Sequence, residues 1–348
     1  MTARAAGAAA LRPVLSVVLA LGLLACGLLA LGYAPLPALL ALASGAFGSP
    51  AAWTATLLKA SPLLCTGLAV ALSFRCGVWN IGAEGQLYAG ALAATAVATR
   101  LWPAAPSALL APLMSLAGAA GGALLAMVAG VLRAARGVSE VISTILLNFV
   151  AIQAVALAVH GPLQESSRAY PQSDALPAAA LLPAWGRLHL GVAIAVGLAF
   201  GVQLLISRTA LGFRMRAVGL SPVAARFAGI SPERHMLVSL LIAGALAGLA
   251  GAFEVAGVTE RLYEGLSPGY GYTAIAVALL ARLNPLAVLP AALFFGALEA
   301  GAGAMQRTAG VPSVVTQIVQ GLVILAFVAI PLGGRRATLP GGPTEGGA

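Results

Sequence analysis

The residues that could do chemistry sit where chemistry is expensive. "NIGAEGQ" places Asn80, Glu84 and Gln86 within seven residues, with a glycine on each side of the Ala83-Glu84 pair. A second group, Glu140, Ser143, Thr144, Asn148 and Gln153, lies in "GVSEVISTILLNFVAIQ". Glu140, Ser143/Thr144 and Asn148 recur at helical spacing and share roughly one face. A carboxylate inside an apolar span costs several kcal/mol unless it faces protein or water. Glycine is a poor helix former, so the chain is expected to break near residues 78–86, and a broken helix at membrane depth is tolerated where it lines a cavity. Two roles follow for Asn80, Glu84, Gln86 and Asn148. They line a path for a hydrogen-bonding solute, or they brace the break and satisfy its freed amides. Glu140, beside Ser139, suits a helix N-terminus.

Other chemistries fail on inspection. "GLSPG" (Gly265–Gly269) has the form of a nucleophile elbow. No histidine follows Ser267, the only aspartate is Asp174, and Pro268 removes an amide the oxyanion hole would need. His160, His189 and His235 are isolated and make no metal set, and Cys26, Cys65 and Cys76 lack any metal or disulfide spacing and read as packing residues. A phosphate-binding loop needs a lysine followed by Ser or Thr. The single lysine, Lys59, is followed by Ala60. No resident cofactor is expected, and ATP, if used, is bound by another chain.

The elements that position these groups are set by the solvent. Of 348 residues, 60% are hydrophobic and 8% charged, against about 25% charged in soluble domains. That solvent is lipid, and the chain reads as an all-α polytopic membrane protein. Windows of about 20 apolar residues fall near 13–33, 52–74, 84–100, 107–132, 139–159, 188–206, 236–256, 270–282, 286–305 and 312–332, ten in all. The first is read as a retained span rather than a cleaved signal peptide, because its apolar run is long and Pro35 and Pro37 separate it from the later small-residue site. With residues 1–12 cytoplasmic, thirteen arginines fall inside and five (Arg100, Arg168, Arg187, Arg261 and Arg307) outside. The positive-inside rule favours that orientation. It puts both termini in the cytoplasm, 160–187 outside and 207–235 inside. Residues 13–332 form a single transmembrane domain, and the Gly/Pro-rich tail 333–348 reads as disordered.

Ala111–Ile145 aligns without a gap on Asn284–Ile318. Pro112 meets Pro285, Gly130 meets Gly303, and Gly137-Val138 meets Gly310-Val311. Five spans separate the copies, so they are expected to be inverted, a recurrent transporter plan. "GAAGG" (Gly118–Gly122) and "GALAG" (Gly244–Gly248) are small-residue pairs suited to helix packing. In the inner loop, "GLSPVAARFAGIS" offers Pro222 as a helix start, small Ala224 and Ala225, Arg226, and Gly229 as a stop. A short helix of this kind suits a groove on a cytoplasmic partner.

"GVWNIGAEGQLYAGA", "GVSEVISTILLNFVA", "GFRMRAVGLSPVAARFAGI" and "GYGYTAIAVALLARLNPL" run in an order that resembles the permease subunits of bacterial ABC importers. That family serves simple sugars, branched-chain amino acids and nucleosides, and the chain is most similar to its nucleoside and simple-sugar branch. The resemblance covers about 60–330. It implies a ten-span type II importer fold in the bacterial inner membrane, with a second permease subunit, identical or homologous. It also implies a cytoplasmic ATP-binding subunit and an extracytoplasmic solute-binding protein or lipoprotein. It makes Pro222, Ala224, Ala225, Arg226 and Gly229 the coupling segment, and "NIGAEGQ" the broken element beside the translocation path. The expected function is import of nucleosides or related purine compounds. A pentose or hexose importer is the alternative within the class, and a proton-coupled secondary transporter using Glu84 the alternative outside it.

Overall fold

The computed structural model describes residues 24–101 and 106–312, with a few isolated positions on either side. The expected segment 1–12, the first half of the 13–33 span, most of the 312–332 span, and the 333–348 tail lie outside the described residues. Within them the chain is mostly helical. Six helices are long and apolar enough to cross a membrane.

Helix α1 (Pro35–Phe47) was not expected. Pro35 and Pro37 read as breakers, yet proline is well placed in a helix's first turn, where its missing amide has no intrahelical partner. At 13 residues it is too short to span. It packs on the C-terminal half of the last helix described below, with Gly45 against Gly301 and Ala304.

Helix α2 (Pro50–Arg75) starts at Ser49, whose hydroxyl accepts from the Ala52 amide at 3.1 Å, and ends before Gly77 at φ +77°. Its apolar window is 78% enclosed by the rest of the chain. Those of α4 (Ser107–Arg136), α5 (Glu140–His160) and α6 (Leu190–Arg208) are each 33% enclosed. So α2 is the bundle's axis, and α4, α5 and α6 are its outer wall.

Helix α3 (Ala83–Ala96) continues into a π-helical turn, Val97–Leu101. After α6 come α7 (Ala210–Leu220) and the six-residue α8 (Pro222–Phe227). Helix α9 (Pro232–Glu254) also ends in a π turn, Val255–Thr259. Helices α10 (Tyr270–Leu280) and α11 (Pro285–Ala309) complete the described chain. The strands described are a two-residue hairpin, Ala184–Trp185 with Leu188–His189, turned at Gly186.

Close backbone approach at glycine holds the bundle together. The pairs read as packing motifs face each other: a side chain on Gly122 would strike Gly244 and Gly248, and one on Gly118 would strike Gly248 and Ala252. Gly90 of α3 lies against Gly248 as well, so three helices meet at one glycine contact. With no hydrophobic driving force between helices in lipid, such contacts maximise van der Waals packing. The two copies of the repeat end alike. Helix α4 stops at Gly137 (φ +67°) and α11 at Gly310 (φ +65°).

The expected span 84–100 corresponds to α3 with its π turn, which together reach about 28 Å, and 270–282 corresponds to α10, a helix shorter than a full crossing. The 11 residues of α10 reach only about 16 Å, roughly half the hydrocarbon core.

Candidate functional site: a junction of two half-helices

Between α2 and α3, residues 76–82 run without helix along one face of α5. Three side chains of α5, four residues apart, accept the amides of this segment and of the helix start that follows. Glu140 Oε1 accepts from Trp79 N at 3.4 Å, Thr144 Oγ1 from Ile81 N at 3.2 Å, and Asn148 Oδ1 from Gly85 N at 2.8 Å. Asn148 also donates from Nδ2 to the Ile81 carbonyl at 3.0 Å. Glu140 is further held by an ion pair with Arg133. The 3.6-residue helical repeat thus supplies a ladder for an extended segment.

Asn80 and Gln86 close the break from within. Their amides pair reciprocally, at 3.1 and 2.9 Å, and Asn80 Oδ1 accepts from Gly82 N at 3.0 Å. Asn80, Gln86 and Asn148 are all fully buried.

Glu84 faces the other way. Its Oε2 accepts from the Gly271 amide of α10 at 2.6 Å. The backbones approach closely there, since a side chain on Gly271 would strike the Glu84 amide. The first turns of α3 and α10 therefore meet head to head, and the Glu84 carboxylate lies between their N-termini. Each N-terminus carries partial positive charge and unpaired amides, which suits the carboxyl oxygen that accepts there. Tyr88 of α3 accepts at its hydroxyl from Ser267 N at 3.2 Å, and Ser267 Oγ accepts from Gly269 N and Tyr270 N at 3.1 and 3.0 Å. The serine of "GLSPG" thus serves the start of α10. Lys59, ten residues into α2, donates to the Tyr270 hydroxyl at 3.1 Å, while Val277 lies against Gly67. The junction therefore sits part-way along α2, and α10 runs beside α2 toward Arg75.

All four path candidates, Asn80, Glu84, Gln86 and Asn148, converge on this junction, each with a partner inside the chain. Sequence reading missed Tyr88, Ser267, Tyr270 and Gly271. A local signal existed in "SPGYGY", where Ser-Pro-Gly punctuates a helix start, but the pairing with Glu84 spans 187 residues.

The second candidate site is α8. Ser221 caps it, accepting from Ala224 N at 3.2 Å, and Pro222 occupies its first turn. Arg226 pairs with Glu233. Ala225 was expected to face a partner. It is 3% exposed and packs inward on Cys76, Val78, Met215 and Leu240. Gly229 takes φ +76°, a left-handed conformation that the turn after α8 requires, and no other part of this chain packs on it among the described residues. The outward apolar side chains are Leu220, Val223 and Phe227, the last 91% exposed.

The opposite end of the bundle is tied by its loops. The Ser167 hydroxyl and the Gln172 amide donate to Glu165 and hold its carboxyl below the usual range, and the ion pair with Arg261 adds to this. Ser173 N donates to Leu262 O at 2.8 Å.

A bundle of apolar helices with two helix N-termini meeting inside it defines a multi-pass membrane protein with polar groups held at depth, a construction typical of transport proteins. The chain belongs to the family described as branched-chain amino acid transport system / permease component, which it matches over residues 52–328. It is 37% identical to the glucose ABC transporter permease protein of Haloferax volcanii over 329 residues, 91% of this chain and 86% of that one. It is 37% identical over 323 residues to the guanosine ABC transporter permease protein NupP of Bacillus subtilis, covering 91% and 92%. A nucleoside ABC transporter permease protein of Lactococcus lactis, NupB, is 33% identical over 330 residues, covering 91% and 90%.

Proposed function

We propose that this chain is the permease subunit of an ATP-driven importer for nucleosides, with simple sugars as the second reading. The single observation that carries the mechanism is α8, a short capped helix with Val223 and Phe227 bare on a chain that has no phosphate-binding loop. An arginine-rich loop with exposed apolar side chains fits a groove on a cytoplasmic ATP-binding subunit. The preserved turn at Gly137 and Gly310 and the head-to-head half-helices support an inverted-repeat, ten-span plan with both termini inside. A second permease subunit completes the pore, and a binding protein delivers solute from outside. Relatives transporting guanosine and nucleosides favour that substrate class, and the glucose permease keeps the sugar reading open. The ABC character of these relatives disfavours a proton-coupled mechanism at Glu84.

In this reading Asn80, Gln86 and Asn148 hold the wall beside the path, and Glu84 fixes the two half-helices so that the wall moves as one body. Pro222 and Ala225 set the position of α8, and Val223, Arg226 and Phe227 meet the partner. The test is co-purification of the ATP-binding subunit with Phe227→Ala. Loss of a buried aromatic anchor at an interface costs about 2 kcal/mol or more, so association should fall more than about tenfold while the permease still folds. Unchanged co-purification and uptake would place the dock elsewhere.

A further inference from the structure

A second polar site adjoins the junction, on the side where Lys59 donates to Tyr270. A cavity of about 140 Å3 opens between α2, the end of α9 and the hairpin, lined among others by Thr54, Lys59, Arg187, Glu254, Val258 and Tyr270. Glu254 is 6% exposed, and its carboxylate accepts no hydrogen bond from the described residues. Lys59 does not close an ion pair on it. The ammonium instead donates to the Tyr270 hydroxyl and stands 5.7 Å from that ring's centre. A buried carboxylate that faces a lysine across a cavity without a hydrogen bond between them is costly in an apolar bundle, and ionisable groups at such depth mark solute or ion pathways.

We propose that this cavity binds the hydroxylated ring of the transported solute, with Glu254 accepting from two adjacent ring hydroxyls and Lys59 donating to a ring or hydroxyl oxygen. The inference rests on the proposed import function and names the part of the solute that is read. A carboxylate accepts at both oxygens and an ammonium only donates, a pair that matches vicinal hydroxyls, which are both donors and acceptors. The cavity is on the scale of one sugar ring, smaller than a pocket for a whole nucleoside. A site for the ring alone also accounts for relatives that carry glucose and relatives that carry guanosine. The cavity shares the hairpin's end of the bundle through Arg187, the end at which solute enters in the proposed orientation.

The test reads saturation-transfer NMR on the permease in lipid nanodiscs, with guanosine, glucose and 2′,3′-dideoxyguanosine, which lacks the two vicinal ribose hydroxyls, as probes. Guanosine and glucose should bind through their ring protons. Dideoxyguanosine on the native chain, and guanosine or glucose on Glu254→Gln, should bind about tenfold more weakly, the scale of a lost charge-assisted hydrogen bond. Glu254→Asp should restore part of the binding. Equal binding of dideoxyguanosine, absence of guanosine and glucose binding, or indifference to Glu254→Gln would overturn the site, and the first two need no variant to fold. Uptake by the complete native assembly separates the two readings. If guanosine or glucose is still carried, the import function stands and only the site falls. If the assembly hydrolyses ATP and carries neither, the import reading falls and the site with it.

Discussion

Asn148 satisfies two backbone groups of the break at once, the Gly85 amide and the Ile81 carbonyl. Leaving a buried polar group unpaired costs about 1–3 kcal/mol, so Asn148→Leu should destabilise the fold by about 2–5 kcal/mol. Thermal unfolding in nanodiscs reads this, and a melting temperature within error of the native chain would mean the break is held by other contacts. His189, just before α6, is a second residue with a measurable consequence. It is 3% exposed against Gly191, Gly257 and Phe253, and neither ring nitrogen has a partner among the described residues. Burial holds its pKa below the ordinary 6.5. The folded ring stays neutral where the unfolded one takes up a proton, so stability is full above pH 6.5 and falls as pH drops below it. The loss is at most about 1.4 kcal/mol per pH unit. His189→Phe should flatten that part of the stability–pH curve, and an unchanged slope would assign the proton uptake elsewhere.

At the scale of elements, the glycine contact among α3, α4 and α9 decides how the bundle closes. Gly248→Leu forces a side chain into the Gly118 and Gly122 backbones. Overpacking of this kind costs about 1–3 kcal/mol or more, and here backbone must move. The expected result is loss of the monodisperse protein in size-exclusion chromatography, whereas Gly197→Leu on α6, with nothing within 4 Å of it, should be neutral. Equal behaviour of the two variants would contradict the packing. The sequence made much of this legible. The long helices α2, α4, α5, α6, α9 and α11 follow from apolar length, and the break from the glycines around Glu84. Asn80, Gln86 and Asn148 could be singled out, since buried polar residues are conspicuous in an apolar chain. Their partners could not, because the hydrogen bonds from Gly85 to Asn148 and from Gly271 to Glu84 depend on how distant helices pack. Helix α1 was missed because two prolines that start a helix look, in sequence, like two that prevent one. The inward turn of Ala225 was missed because a six-residue helix has too few positions for periodicity to show its buried side.

At the scale of the molecule, the family relationship, the half-helices joined at Glu84 and the bare face of α8 fit one machine. In the function proposed above, solute passes beside a braced junction, and the energy arrives through a helix that touches another protein. Sequence carried the class of this machine through motif order, while the depth of the junction and the cavity at Glu254 emerged only from packing. The most direct test is uptake of guanosine into proteoliposomes holding this permease with its partner permease, ATP-binding subunit and solute-binding protein. Uptake is expected to require ATP and the ATP-binding subunit and to be indifferent to a proton gradient. Uptake by this chain alone, driven by a proton gradient without ATP, would contradict it.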